Sequence, residues 1–307
     1  MVKSPILFIT FVRPEYARYS WNAIKEAKQE KLYFYSNKGR IDKEGEIEKN
    51  NEIRDYIKEI DWPCNLYTFF REECVDIYTS LWGAIDWLFD NEEYGIIIEE
   101  DCVATQAFFQ FCDDLLPRYA NAQKVRMISG NNYTPKYNPK NFDYFFSHVT
   151  HIYGWATWRD RWKSLDRKMT DWNQVKHDKI KKYYPYFLCR FWYRFNLQYI
   201  YDRIEKRNPW DYITLYNSIK NDQCSITPCR NLVFDIGVNG VHHHNTEDAN
   251  YKPNIPVIDN ISTSKYPETI ETDKEFDINT FNHFVLKKAI KYIPKRIIQK
   301  MVSYVIK

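Results

Sequence analysis

The sequence predicts an α/β fold: a mostly parallel, Rossmann-like central sheet flanked by helices, followed by a basic helical tail. Three observations carry that expectation. Strand-like and helix-like segments alternate five times between residues 6 and 129, the pattern of a parallel sheet with crossover helices. Gly95-Ile96-Ile97-Ile98 is an uninterrupted apolar run that stops abruptly at Glu99-Glu100-Asp101. A strand buried on both faces reads this way where its carboxyl end meets a polar crevice. Finally, 307 residues, 44% hydrophobic and 28% charged, are enough to bury a large core.

Ile6–Phe11 reads as the first buried strand. Pro14 suits a first helical turn, and Tyr16, Tyr19, Ala23 and Ala27 give Glu15–Lys28 helical spacing. Leu32–Tyr35 is the second strand, closing in the loop Ser36–Gly39. Glu44–Ile60 is a charged surface helix and Asn65–Phe70 a third strand. Asp76–Phe89 is an amphipathic helix with Ile77, Leu81, Ile85 and Leu88 on one face. After the fourth strand come a helix from about Gln106 to Tyr119 and a fifth strand, Val125–Ser129.

Beyond Gly130 the alternation stops. Tyr144–His148 is extended, and Gly154–Arg159 leads into a helix carrying Trp162. Residues 173–207 read as helical, and Pro209-Trp210-Asp211 opens another helix. Ser225–Pro228 and Asn231–Asp235 are short extended pieces, Gly237–Asn245 is a His-rich turn, and Asp248–Asp277 is a polar wrap. Phe281–Tyr292 and Lys295–Ile306 read as two short helices broken at Pro294.

A net charge of +3 gives no pull toward nucleic acid. Its distribution is uneven: residues 281–307 hold seven Lys and Arg and no acid, so the rest is net acidic. That basic, amphipathic tail fits an anionic membrane surface; packing on its own domain or a partner is the plain alternative. Seven scattered cysteines with no CxxC pair point to a reducing compartment, and no apolar run is long enough to span a membrane. The expectation is a cytoplasmic protein, peripheral on the inner face of the cell membrane. No GxGxxG follows the first strand, so the usual dinucleotide fingerprint is missing.

Three adjacent carboxylates resist ionising together unless a cation balances them. Mn²⁺ and Mg²⁺ take oxygen ligands, often one or two carboxylates plus substrate phosphates. Glu99-Glu100-Asp101 is therefore a candidate metal site that holds a diphosphate, against the plain reading of a solvated acidic turn. Parallel strands gather their loops at one edge, bringing Thr10, Arg13, Ser36, Asn37 and Arg71 near those acids. Polar groups there suit a base and ribose, and Arg71 a phosphate. In His242-His243-His244 one imidazole could complete a metal site; His242 and His244 share a face of an extended backbone. Asp211, between Trp210 and Tyr212 at a helix start, suits either a desolvated general base or an acid stabilised by the helix dipole.

Arg13-Pro14-Glu15, Arg71-Glu72-Glu73, Gly95–Cys102, Ile128–Asn132, Gly154–Arg159, Trp210-Asp211-Tyr212, and Ile236-Gly237 followed by His244 form a recognisable set. On these motifs the chain resembles nucleotide-diphospho-sugar transferases of the GT-A fold, over roughly residues 4–245. The likeness is to a bacterial family-two-like branch sometimes labelled hemolytic-protein-like sugar transferases. It implies a nucleotide-sugar-binding half at 1–130, an acceptor-binding and catalytic half of the same domain at 131–250, and a wrap and tail at 251–307. It also implies a UDP- or GDP-sugar donor, Mn²⁺ or Mg²⁺, and a glycan or lipid-linked glycan acceptor in bacterial surface glycan synthesis. Asp101 is the favoured metal ligand, with Glu99 and His244, or His242 in its place. Glu100 stands where the family usually has Asp, Val12 where relatives often have Asn, and Asn37 where Asp is usual. Asp211 is the implied base of an inverting displacement. Asn131, Trp155, Trp158 and Arg159 are expected to line the acceptor pocket. A metal-dependent hydrolase of nucleotide sugars and a non-catalytic nucleotide or glycan binder are the competing expectations.

Overall fold

The computed structural model describes residues 1–134, 136–138, 140–184, 186–237 and 257–286. The first half alternates as the sequence predicts. β1 (Ile6–Thr10), α1 (Pro14–Ala27), β2 (Lys31–Ser36), α2 (Glu46–Arg54) with a 3-10 turn, β3 (Asn65–Phe70), α3 (Ile77–Asn91) and β4 (Tyr94–Glu99) follow one another. Then come β5 (Cys102–Ala104), α4 (Gln106–Arg118) and β6 (Val125–Ser129). The second half adds β7 (Tyr144–Ser147), β8 (Trp155–Trp158), α5 (Arg159–Lys163), α6 (Trp172–Asp178), α7 (Ile180–Tyr183), α8 (Phe187–Tyr201), α9 (Trp210–Asn221), β9 (Cys224–Pro228) and β10 (Val233–Asp235). A helix at Lys274–Thr280 follows.

Among the described residues, eight strands form one sheet in the order β3-β2-β1-β4-β8-β6-β9-β7. β1 pairs in parallel with β2 and β4, and β2 with β3. β8 is antiparallel to both β4 and β6; β9 is parallel to β6, and β7 antiparallel to β9. Six strands thus run one way and β7 and β8 the other, a mostly parallel α/β sheet with helices on both faces.

Two differences from the sequence reading stand out. Trp155–Trp158, expected as a helix entry, is a strand wedged between β4 and β6. Cys102–Ala104, where no strand was expected, pairs with Val233–Asp235 in a second, two-stranded sheet. Both pairings join residues far apart in sequence, where local pattern carries little signal. The wrap reading of Asp248–Asp277 gives way at its end to the helix from Lys274, capped by Asp273, whose side chain accepts from Phe276 N–H. Of the two tail helices expected in Phe281–Ile306, residues 287–307 lie outside the described residues. Among the described residues no helix is long and apolar enough to cross a membrane.

The core follows from strand periodicity. Ile6, Phe8, Ile96 and Ile98 face a cluster with Trp21 and Ile24 of α1 and Phe108 and Phe111 of α4. Leu7, Ile9 and Ile97 face the opposite cluster with Trp82, Ile85 and Leu88 of α3 and Ile213 and Tyr216 of α9. Alternate residues serve alternate faces, so an unbroken apolar run is what a doubly covered strand requires.

The chain runs β1, β2, β3 outward and then returns to lay β4 on the free side of β1. That reversal leaves a crevice at the carboxyl ends of β1 and β4, where open α/β sheets bind ligands. Thr10 pairs with Ser36, and Ile9 with Glu99, so all these strand ends share one edge. Ile98 has no exposed surface at the heart of this arrangement. Ile98→Ala is expected to lower stability by about 2–5 kcal/mol, read as a drop in denaturation midpoint at unchanged m-value; a loss under about 1 kcal/mol would contradict the packing described.

Candidate functional site

The crevice is a cleft of about 450 Å³. Its walls are the ends of β1 and β4, the loops after β2 and β3, and the first turns of α3. Asp76 caps α3, its Oδ1 accepting from Tyr78 N–H at 2.9 Å and Thr79 N–H at 3.2 Å. Val75, Asp76 and Ile77 line the cleft, so the positive end of a 15-residue helix faces it, partly offset by the capping carboxylate.

The three acids at the end of β4 do different work. Glu100 turns inward. Its Oε2 accepts from Phe11 N–H at 2.7 Å and its Oε1 from Arg13 Nε at 2.5 Å. Its backbone carbonyl accepts from Ser20 Oγ at 3.0 Å. Arg13 then reaches Asp101, Nη2 to Oδ2 at 2.9 Å. Burial pulls the Arg13 pKa down, but Glu100 and Asp101 more than reverse this and hold the guanidinium charged. Buried charges persist when paired and hydrogen-bonded in this way.

Glu99 is the acid left over. Burial pushes its carboxyl up to about 8; the charges of Asp101 and Asp235 add to the rise, Arg13 opposes it, and Asp211 adds a further push. Asp235 enters through β10, which pairs with Cys102 beside the acids. Ile236 N–H donates to the Asp101 carbonyl at 2.9 Å. A Cβ on Gly237 would sit 2.1 Å from Asp101 Oδ2, so only glycine lets this backbone approach so closely. Glu99 and Asp101 are the two carboxylates of this group that line the cleft beside Glu100; one or two such oxygen donors plus substrate phosphates are what a hard divalent ion takes. Among the described residues no group of three or more His, Cys, Asp or Glu is placed so that it could hold a metal ion. His242, His243 and His244 lie outside the described residues.

The other expected donor-site residues fall into two groups. Thr10, Arg13 and Asn37 line the cleft. Thr10 Oγ1 donates to the Tyr35 carbonyl at 3.1 Å. Asn37 clips the loop after β3: its Nδ2 donates to Val75 O at 2.9 Å and its Oδ1 accepts from Val75 N–H at 3.2 Å. Ser36 is buried beneath the cleft floor, accepting from Asn50 Nδ2 at 3.0 Å and Arg54 Nε at 3.1 Å. Arg71 does not line the cleft. Its Nε donates to Tyr35 Oη at 2.5 Å, and its guanidinium lies over the Phe69 ring and against Gly83 of α3. Side chains alternate across a strand, so the loop cation after β3 leaves on the α3 face. The arginine that joins Arg13 in the cleft is Arg40, paired with Glu46 and stacked over Phe11. It lies one residue past the Ser36–Gly39 loop; a basic residue after a strand-end glycine was the available signal.

The expected acceptor residues separate more sharply. Trp155 is fully buried, its ring stacked on Trp210 at 4.5 Å. Because β8 runs against β4, with Trp158 opposite Tyr94, Trp158 and Arg159 sit at the far edge of the sheet from Glu99. Trp158 Nε1 donates to Leu116 O at 2.9 Å, and Arg159 Nε to Glu92 O at 3.0 Å. The strand's direction thus sets these two at the sheet end opposite the acids. Asn131 is buried, its Nδ2 donating to Val233 O at 2.8 Å, which ties β6 to β10. Asp211 lies in the first turn of α9, beside a cavity of about 170 Å³ that Thr150, Ile152, Tyr193 and Tyr212 help line. Burial raises its carboxyl to about 6 despite backbone N–H groups of the helix start.

A carboxyl raised above its unfolded value keeps a proton that the unfolded chain has released, so stability falls as pH rises between the two values. For Glu99 the window runs from its ordinary 4.5 to about 8. In metal-free buffer Glu99→Gln is expected to melt with wild type near the acid end of that window and above it at the alkaline end. Superimposable pH profiles of melting temperature would refute the assignment.

No family model and no curated protein matches the chain. Among solved structures it is similar to UDP-glucose pyrophosphorylase complexed with UDP-glucose, at 9% identity and a TM-score of 0.35, over 74% of this chain and 90% of that one. It is also similar to the glycosyltransferase GlyE of Streptococcus pneumoniae TIGR4, at 12% identity and a TM-score of 0.34. That match covers 96% of this chain, which spans 64% of the other's length. Likeness at these scores is too low to carry function.

Proposed function

We propose that this protein is a glycosyltransferase moving a sugar from a nucleotide-diphospho-sugar to a hydroxyl acceptor, with inversion. The observation that supports this most directly is that Glu99 and Asp101 line a cleft of about 450 Å³ at the sheet's switch point, with the Glu99 carboxyl pushed up to about 8 by burial and by the neighbouring acids. Glu99 and Asp101 are the residues that would hold Mn²⁺ or Mg²⁺, and the GT-A resemblance of the motifs makes the same assignment. Bound there, such an ion supplies positive charge to a leaving diphosphate.

The chain's own residues have separable tasks in this reading. Arg13, clamped by Glu100, holds Asp101 in one orientation. Asn37 and Thr10 border the volume available to the nucleoside. Asp211, with a carboxyl near 6, is largely ionised at neutral pH yet basic enough to take the acceptor's proton as its oxygen attacks. Its charge reaches Glu99, which supports a base working beside the donor site.

Thermal shift with nucleoside diphosphates tests the donor site. UDP or GDP with Mn²⁺ is expected to raise the melting temperature, and Asp101→Ala to remove the metal-dependent part. No stabilisation by any nucleoside diphosphate plus metal would sink the reading. Asp211→Asn is expected to keep the shift while lowering transfer by about 10²–10⁴-fold. Donor hydrolysis without acceptor, at a rate equal to transfer, would instead favour a hydrolase.

A further inference from the structure

Helix α8 has two unlike faces. Cys189, Asn196, Leu197 and Ile200 are buried. On the other side Phe187, Leu188 and Phe191 keep 64%, 40% and 38% of their surface exposed. With Phe195 they fall adjacent or four apart, so they form one stripe along the helix. The rings stack in sequence, Phe187 on Phe191 and Phe191 on Phe195, with centroids 6.4 Å apart in each pair. Single exposed apolar residues are ordinary, but a contiguous row of stacked rings marks a contact surface.

Charge says what that surface meets. α8 holds Arg190 and Arg194 and no acid. Each arginine stands three positions past a ring of the row, along one margin of the stripe. The Arg190 guanidinium lies 5.8 Å from the Phe187 ring centre. From Lys179 to Arg207 the chain carries eight Lys and Arg against Asp202 and Glu205 alone. A second copy of the chain is a poor occupant. A two-fold contact sets one face against itself and would bring four arginines together. An anionic lipid surface answers both parts of the face, with acyl chains for the rings and headgroup phosphates for the arginines.

The place where the described chain ends argues the same way. Phe281 packs on Tyr186 at 5.9 Å and on Tyr193 at 6.5 Å, ring centre to ring centre. Val285 and Leu286 lie on the same apolar cluster as Trp192 and Tyr193 of α8. The sequence from 287 to 307, with seven Lys and Arg and no acid, therefore departs from beside this helix. Basic clusters on and next to an amphipathic helix are drawn to anionic lipid.

We propose that the outer face of α8 docks this protein on an anionic bilayer surface. Phe187, Leu188, Phe191 and Phe195 enter the acyl boundary, and Arg190 and Arg194 meet lipid phosphates. At 15 residues and with two arginines, α8 lies on the bilayer and does not cross it. The inference is independent of the donor cleft and of the reaction assigned to it.

Flotation of the full chain with phosphatidylcholine vesicles, with and without phosphatidylglycerol, tests this. Recovery with the phosphatidylglycerol vesicles and not with the neutral ones is expected; no recovery with either would overturn the proposal. Phe187→Ser combined with Phe191→Ser is expected to lower the partition coefficient about tenfold or more at an unchanged melting temperature. Equal recovery of wild type and this variant would leave the basic tail as the anchor and overturn the role of α8. Arg190→Glu combined with Arg194→Glu keeps the test open if the first variant does not fold: it is expected to lose recovery with anionic vesicles, and recovery equal to wild type would count against the proposal. A dimer by light scattering that the phenylalanine variant dissociates, without flotation, would give the face to a second copy instead.

Discussion

The site depends on one pairing: Arg13 with Glu100, deep at the end of β4. Glu100 gives both carboxylate oxygens to the interior, one to Phe11 N–H and one to Arg13. Ser20 of α1 ties down its carbonyl. This fastens the loop after β1 to the turn after β4, the two sides of the switch-point crevice. It also commits Arg13 mainly to the middle acid, with one hydrogen bond left for Asp101. Glu99 and Asp101 line the cleft beside it.

The same pairing accounts for the length of the middle acid. The transferases that the motifs resemble usually carry Asp there. Glu100 reaches inward past the turn to Arg13 and Phe11; a side chain one methylene shorter would fall about 1.5 Å short of those donors. The extra carbon therefore serves an anchor. That division of labour among three adjacent acids was not legible in the sequence, since turn geometry decides which of them points inward.

More generally, what could be read from sequence was local or periodic. The parallel half was legible because each strand of β1–β4 is short, apolar and followed by a helix with its own stripe. Its edge of loops followed from strand polarity, so Thr10, Arg13, Asn37 and the acids were rightly brought together. Contacts between remote segments were not legible. Trp155–Trp158 has strand-forming residues, but the helix starting at Arg159 masked them, and nothing local says that the strand is central and reversed. That one reversal carried Trp158 and Arg159 to the wrong edge. The exchange of Arg71 for Arg40 has a similar cause: which face a side chain takes as it leaves a strand depends on register, not on residue type.

Asp211 shows how the two halves of the chain are joined. It needs no charged partner to raise its carboxyl, because burial at the start of α9 is sufficient. The helix must then be held firmly, for a desolvated acid is useful only at a fixed distance from its target. α9 is held through Trp210 on Trp155 and through Ile213 and Tyr216 in the core below α3.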